Sequence, residues 1–341
     1  MTIDNMDIDL DNRRNNSTLA AWGRLVRLHT AIPTSLVAIA TYLTTQRVTL
    51  TGGAFIILIG STMHMSICTM NDYLDYENDK NDVEKSMRPL VNGDISLEDA
   101  KQFIYISAGT SMAISMIAGF YVFLVTLAGF IFASVYNYYS GEAVHGDVWY
   151  VAAILTLGLL GIVVAGTYTT GTVAIMAVLL IHGFYQVQEG HMKDLGIDED
   201  NIIQWLGVRK VGDRRIIFPD GFVSGTYFLK LVEVALLLFI VYSNLDVITS
   251  YSSAAIGVVA VAYTVNLGLY FYSLINWLSE FYKRGNVIRY ITLHEVSAVM
   301  LIMLSIAPYS PHISIFFMVM APIYLFITNY FIHDDAVSPD I

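Results

Sequence analysis

Hydrophobic residues fill this chain in long blocks, near residues 29–46, 52–71, 102–121, 122–139, 148–167, 170–188, 224–244, 253–277, 295–308 and 311–332, with short polar stretches between them. The hydrocarbon core of a bilayer is about 30 Å thick and takes roughly 20 apolar residues wound as a helix. The pattern therefore predicts an all-α integral membrane protein with nine or ten spanning helices. The block at 295–308 is short for a span and needs polar flanks or neighbours to complete it.

Composition agrees. Of 341 residues, 55% are hydrophobic and 14% charged, where a soluble domain carries roughly 25% charged residues. No soluble domain, low-complexity linker or short repeat interrupts the pattern, so a single transmembrane domain is expected over residues 19–335, behind a disordered cytoplasmic tail at 1–18.

All but Arg47 of the 18 lysines and arginines fall in alternate loops. Arg13, Arg14, Arg24 and Arg27 precede the first block; Lys80, Lys85, Arg88 and Lys101 follow the second. Lys193, Arg209, Lys210, Arg214, Arg215 and Lys230 follow the sixth, and Lys283, Arg284 and Arg289 the eighth. Basic residues are retained on the cytoplasmic side. The amino terminus and these loops are thus expected in the cytoplasm of a cell or organelle membrane crossed many times. The net charge of −11 gives no reason to expect nucleic acid, and no obligate protein partner is expected. The lone Cys68 excludes an internal disulfide, and the polar, partly acidic start does not read as a cleavable signal.

Chemistry enters where the second block ends. Asn71, Asp72, Asp75, Asp79 and Asp82 follow one another directly, and Arg88-Pro89-Leu90 comes a few residues later. At about 100° per residue, Asn71, Asp75, Asp79 and Asp82 fall on one narrow helix face with Asp72 at its edge. Crowded aspartates repel one another unless a cation neutralises them. Hard oxygen ligands without nearby Cys or His point to Mg2+, which binds through a few carboxylates plus substrate phosphates.

A second carboxylate-rich extension follows the sixth block, a rough echo of the first. Tyr185, Glu189 and Lys193 are spaced i, i+4 and i+8, Asp194 and Asp198 i and i+4, and Gly196 is expected to break the helix before Asp198. Glu189 stands at or inside the membrane boundary, where an ionisable group is functional by default. Asp198, Glu199 and Asp200 also read as solvated surface charge.

Residues 71–96, NDYLDYENDKNDVEKSMRPLVNGDIS, resemble the first signature of the UbiA-type intramembrane prenyltransferase superfamily, N-D-x-x-D-x-x-x-D followed by R-P-L-x-x-G-x-x-S. The resemblance extends to R-L-x-R-x-H-T before the first block, to the two acidic loops, and to Leu206-Gly207 after the second of them. It implies a helical bundle around a central cavity, with two aspartate-rich motifs holding Mg2+ and a prenyl diphosphate. It also implies transfer of the prenyl group to an aromatic, quinone-precursor-like or other lipophilic acceptor in the bilayer. On that reading Asn71, Asp72, Asp75, Asp79, Asp194 and Asp198 hold the metal. Asn71, Lys85, Arg88, Tyr185, Glu189 and Lys193 meet the diphosphate, and Asp72, Asp75, Lys193 and Asp194 are the catalytic set.

The chain departs from the family pattern in three places. Glu189 and Lys193 precede Asp194 and Asp198 in the second motif. Residues 136–145 read YNYYSGEAVH where many relatives carry a Lys-Arg pair, and 311–332 adds a helix to the usual nine.

Other readings stay open. The same fold is compatible with terpene cyclisation or with transfer to a lipid or sugar phosphate. An ion-coupled transporter predicts charges near mid-bilayer and helices broken by Gly or Pro. Tyr136, Tyr138 and Tyr139 line an acceptor site or belong to an interfacial aromatic belt. His64 and His182 read as hydrogen-bonded packing residues, since no second soft ligand stands at metal spacing. His294 and Glu295, near the expected start of a helix, are placed to reach the cavity mouth.

Overall fold

The computed structural model describes residues 18–82, 85–139, 145–193, 195, 201–212, 215–279 and 284–333. All of the tail at 1–18 but Thr18 lies outside them, as do Asp194 and Asp198 to Asp200.

The elements in chain order are α1 (Thr18–Leu25), α2 (Leu28–Thr44), α3 (Leu50–Leu74), the short α4 (Tyr76–Asp79), α5 (Leu97–Ala118), α6 (Phe120–Tyr139), α7 (Gly146–Ala165) and α8 (Thr170–Lys193). There follow the short α9 (Ile202–Trp205), strands β1 (Arg209–Val211) and β2 (Arg215–Ile217), α10 (Phe222–Tyr242), the short α11 (Leu245–Thr249), α12 (Ser253–Trp277), α13 (Arg284–Ile306) and α14 (Pro311–His333). β1 and β2 form one antiparallel hairpin, Lys210 opposite Ile216. Each long apolar block has become one long helix. Among the described residues, eight of these helices are long and apolar enough to cross a membrane. The other two, α2 and α5, pack among these eight.

The long helices form a ring. α2 packs on α3, α3 on α5, α5 on α6, α6 on α7, α7 on α8, α8 on α10 and α10 on α13, while α14 bridges α13 and α2. α12 lies against α13. The short apolar block at 295–308 gets the polar flank it needs: α13 begins at Arg284, and its polar first turns complete a helix of 23 residues. Lys230 is not a loop residue, because α10 begins at Phe222 and buries it completely.

Without a hydrophobic drive between helices in lipid, close backbone approach and small residues hold them together. At Gly161 of α7 a β-carbon would collide with the Ala38 carbonyl oxygen of α2. Thr41 Oγ1, one turn along α2, donates to the Gly158 carbonyl at 2.7 Å. The main core lies among α2, α3, α7, α8 and α13, with Leu36, Ile59, Leu160, Ile175 and Leu301 fully buried. A smaller core beneath the hairpin joins Met192, Leu195, Val208, Ile216 and Trp277.

A third cluster positions the chemistry. Leu90 and Ile95 pack on Ala21 and Leu25 of α1, beside Tyr73 and Tyr76. Gly93, at φ +82°, supplies the left-handed turn that a side chain would strain. Next to it, Asp94 reaches back to Arg24 at 3.1 Å. The segment that follows the aspartates is thereby folded onto the end of α3.

Candidate active site

The aspartate run does not continue α3 as one uninterrupted helix to Asp82. α3 ends at Leu74, and α4 adds one turn that stops at Asp79. The helical hydrogen-bond track survives the break, with Asp75 N–H donating to the Asn71 carbonyl at 3.0 Å and Asp79 N–H to the Asp75 carbonyl at 2.8 Å. Beyond Asp79 the chain turns, because Leu90 and Ile95 must reach their pocket on α1. That turn swings Lys85 and Arg88 back over the carboxylates.

The result is an alternating cluster of charges. Asp79 is buried, one oxygen accepting from Lys85 Nζ at 2.8 Å and the other from Arg88. Arg88 also stands 3.6 Å from Asp72 Oδ1. Arg27 donates to that same Asp72 oxygen at 3.1 Å and to Asn71 Oδ1 at 3.2 Å. Asn71 in turn donates through Nδ2 to Asp75 Oδ2 at 3.1 Å. Arg27 sits in the left-handed region, φ 47° and ψ 52°, between α1 and α2. Such strain persists only where the surroundings enforce it; here it aims the guanidinium at the end of α3.

Asn71, Asp72, Asp75, Asp79, Lys85 and Arg88, read together from the sequence, are thus brought together. Burial, and then the neighbouring Asp79, push the Asp75 carboxyl up to about 6. Burial outweighs the pull of the nearby Arg88 and Lys85 on that group. Three carboxylates and an amide, all hard donors, fit a Mg2+ ion.

The second predicted set divides. Asp194 and Asp198 lie outside the described residues, and so does the Lys193 side chain. Tyr185 is fully buried, its hydroxyl donating to the Thr226 carbonyl of α10 and its ring 3.7 Å beneath the Lys230 ammonium. Glu189 is buried against His294, Oε1 to Nδ1 2.6 Å. Both face α10 and α13 and form an ionic cluster of their own inside the bundle.

That cluster also holds His182, which is no mere packing residue. Its ring bridges Glu233 and Glu295, 3.2 Å from each. Lys230 Nζ donates to Glu233 at 3.0 Å, Tyr270 to the same carboxylate at 2.9 Å, and Gln186 to Glu295 at 2.8 Å. His294 and Glu295 therefore lie about three turns inside α13 rather than at its start. His64 behaves as read, its ring beside Thr30 and Thr34 at 3.0 and 3.1 Å. The three tyrosines separate: Tyr136 packs on Tyr150 at 5.0 Å between ring centres, while Tyr138 and Tyr139 are exposed. From sequence, Arg27 enters only within the R-L-x-R-x-H-T stretch and the count of basic residues, with no role at the site, and Lys230 and Glu233 are not singled out. The signal for the last two was present, as charges three residues apart in an otherwise apolar block.

The fold and the site together define a multi-pass helical bundle with a carboxylate and guanidinium cluster at one end. The family model of the UbiA prenyltransferase family matches residues 31–285. The chain belongs to that family: it is a membrane prenyltransferase, and the transporter alternative is set aside. α13 is matched only at its first residues and α14 not at all.

Among solved structures, the chain resembles a UbiA homolog from Archaeoglobus fulgidus bound to DMAPP and Mg2+, at 18% identity and a TM-score of 0.57, over 85% of this chain and 99% of that one. It resembles the apo structure of a UbiA homolog from Aeropyrum pernix K1 at 18% identity and a TM-score of 0.58, over 82% and 96%. A structure described for digeranylgeranylglyceryl phosphate synthase matches at 15% identity and 0.56, over 86% and 98%. At such identities the likeness is one of fold. The comparison with curated proteins found no match.

Proposed function

We propose that the chain transfers an isoprenyl group from a prenyl diphosphate to a lipophilic acceptor within the membrane, in a reaction that requires Mg2+. The observation that carries this reading is the cluster at the end of α3, where Asn71, Asp72, Asp75 and Asp79 interleave with Arg27, Lys85 and Arg88. Carboxylates there suit a hard cation, and the guanidinium and ammonium groups suit phosphate oxygens. The A. fulgidus homolog of the same fold has been seen with Mg2+ and DMAPP, and with Mg2+ and GPP.

Asn71, Asp72, Asp75 and Asp79 would hold the metal, with Asp194 and Asp198 from the second motif. Mg2+ supplies neutralisation of the charge that builds on the departing pyrophosphate. Arg88, Lys85 and Lys193 contribute to the same task by hydrogen bonding to its oxygens. Arg27 fixes Asn71 and Asp72 in place. The apolar helices keep water from the allylic cation, and Tyr136 with Tyr150 offers aromatic faces to it. Tyr185 and Glu189, packed against α10 and α13, are given no direct contact with the diphosphate in this reading.

An aromatic, quinone-precursor-like ring is the acceptor class we favour, and cyclisation or transfer to a lipid or sugar phosphate is the alternative. The test is mass spectrometry of products made by purified protein in detergent with Mg2+ and a panel of prenyl diphosphates and acceptors. A prenylated acceptor formed with release of one pyrophosphate supports the reading. Release of pyrophosphate with only a cyclic hydrocarbon selects the alternative, and no pyrophosphate release under any pairing overturns both. For the second motif, Asp194→Ala should lose turnover by orders of magnitude and Asp200→Ala should stay near wild type.

A further inference from the structure

Glu189, His294 and Glu295 meet inside the bundle where α8 faces α13, and no step of the proposed transfer uses them. Glu189 and His294 are 2% and 0% exposed. One carboxylate oxygen or ring nitrogen from each of the three residues lies within 4.8 Å of the other two. Each residue also carries a buried polar atom without a hydrogen-bond partner: Glu189 Oε2, His294 Nε2 and Glu295 Oε1. Glu189 and Glu295 face each other within hydrogen-bond reach as two acceptors, with the His294 ring against Glu189, so a shared proton or a cation must lie between the carboxylates.

Three carboxylates, Glu189, Glu233 and Glu295, share the neighbourhood with Lys230 and with the His182 ring that bridges two of them. Glu233 is already taken by Lys230, His182 and Tyr270. Glu295 Oε2 accepts from Gln186 and faces His182, which leaves its other oxygen for a third party. Lys230 is the one permanently charged cation among the described residues set against these three carboxylates. A divalent ion supplies the missing charge without requiring either imidazole to be protonated.

We propose that Glu189, His294 and Glu295 form a binding site for one divalent transition-metal ion of the zinc type, distinct from the Mg2+ site at the end of α3. Two carboxylate oxygens with a borderline imidazole nitrogen make a mixed set that suits zinc, whereas the all-oxygen set at Asp72 suits Mg2+. Three protein ligands leave a coordination position open. Gln186 and His182 hold Glu295 in orientation, as outer partners of metal ligands do.

Binding is read without turnover, so failure here leaves the prenyl-transfer reading standing. Tag-free protein in detergent, with Mg2+ in excess to occupy the aspartate site, is dialysed against Zn2+ and its metal content measured by mass spectrometry. The wild type should retain about one zinc per chain, as a three-ligand site predicts. A doubly substituted Asp72→Asn, Asp75→Asn protein should retain the same amount. His294→Gln and the isosteric Glu295→Gln, each confirmed as folded by size-exclusion chromatography, should weaken zinc binding by at least about tenfold, the typical loss when a metal site is disturbed.

Wild-type protein that holds no stoichiometric zinc overturns the site. So does zinc that survives in His294→Gln but disappears with Asp72 and Asp75. Should both cluster variants misfold, wild type loaded with Co2+ decides. Visible bands of a four- or five-coordinate nitrogen and oxygen site support the proposal, and the weak spectrum of a six-coordinate, water-rich ion contradicts it.

Discussion

Asp75 shows how the site is tuned at the scale of one residue. Its carboxyl is pushed up to about 6, first by burial and then by Asp79. A raised carboxyl binds its proton more tightly in the folded protein than in the unfolded chain, where it titrates near 4. Without metal, stability should therefore fall as pH rises from about 4 through about 6, and Mg2+ should reverse that loss. The same proton competes with the metal. Apparent Mg2+ affinity, followed by calorimetry, should drop as pH falls below about 6, and Asp75→Asn should flatten both profiles. Much of this site was legible in the chain, because the spacing of Asn71, Asp72, Asp75 and Asp79 and the Arg-Pro-Leu that follows carry the chemistry locally. Arg27 was not legible as a ligand. Its role depends on a left-handed backbone and on a contact across 45 residues, neither of which a periodicity records.

At the scale of elements, the helices followed from the hydropathy blocks, while their meetings did not. Lys230, grouped by sequence with the basic loop before it, lies two turns inside α10 with its ammonium over the Tyr185 ring. The cluster it belongs to draws on α8, α10, α12 and α13, so no single stretch of sequence announces it. Removing one partner of a buried ion pair leaves the other charge uncompensated, at a cost of about 3–5 kcal/mol. Lys230→Met should accordingly lower the unfolding temperature in detergent markedly. Combining it with Glu233→Leu should recover part of the loss, because no orphan charge then remains in that pair. Thermal unfolding of the two single variants and the double variant measures this, and strict additivity of the losses would count against a direct pair.

At the scale of the whole molecule, the number of long helices was within reach from block lengths. The turn beyond Asp79 was not, because it carries Leu90 and Ile95 to their pocket on α1. Orientation rests on the placement of basic residues. In a Cys68→Ser background, single cysteines at the exposed Asn81 and Arg209 should react with an impermeant thiol reagent from the same, cytoplasmic side, and one at Arg47 from the opposite side. Labelling of Asn81 and Arg209 from different sides would overturn the topology. The central claim is that the interleaved charges at the end of α3 ionise a prenyl diphosphate. It is tested most directly by pyrophosphate release from Asp72→Ala beside wild type, at saturating Mg2+ and prenyl diphosphate. The account predicts a loss of at least about a hundredfold in a variant that elutes and unfolds like the intact bundle. Release at the wild-type rate from Asp72→Ala, or from wild type in excess chelator, would contradict it.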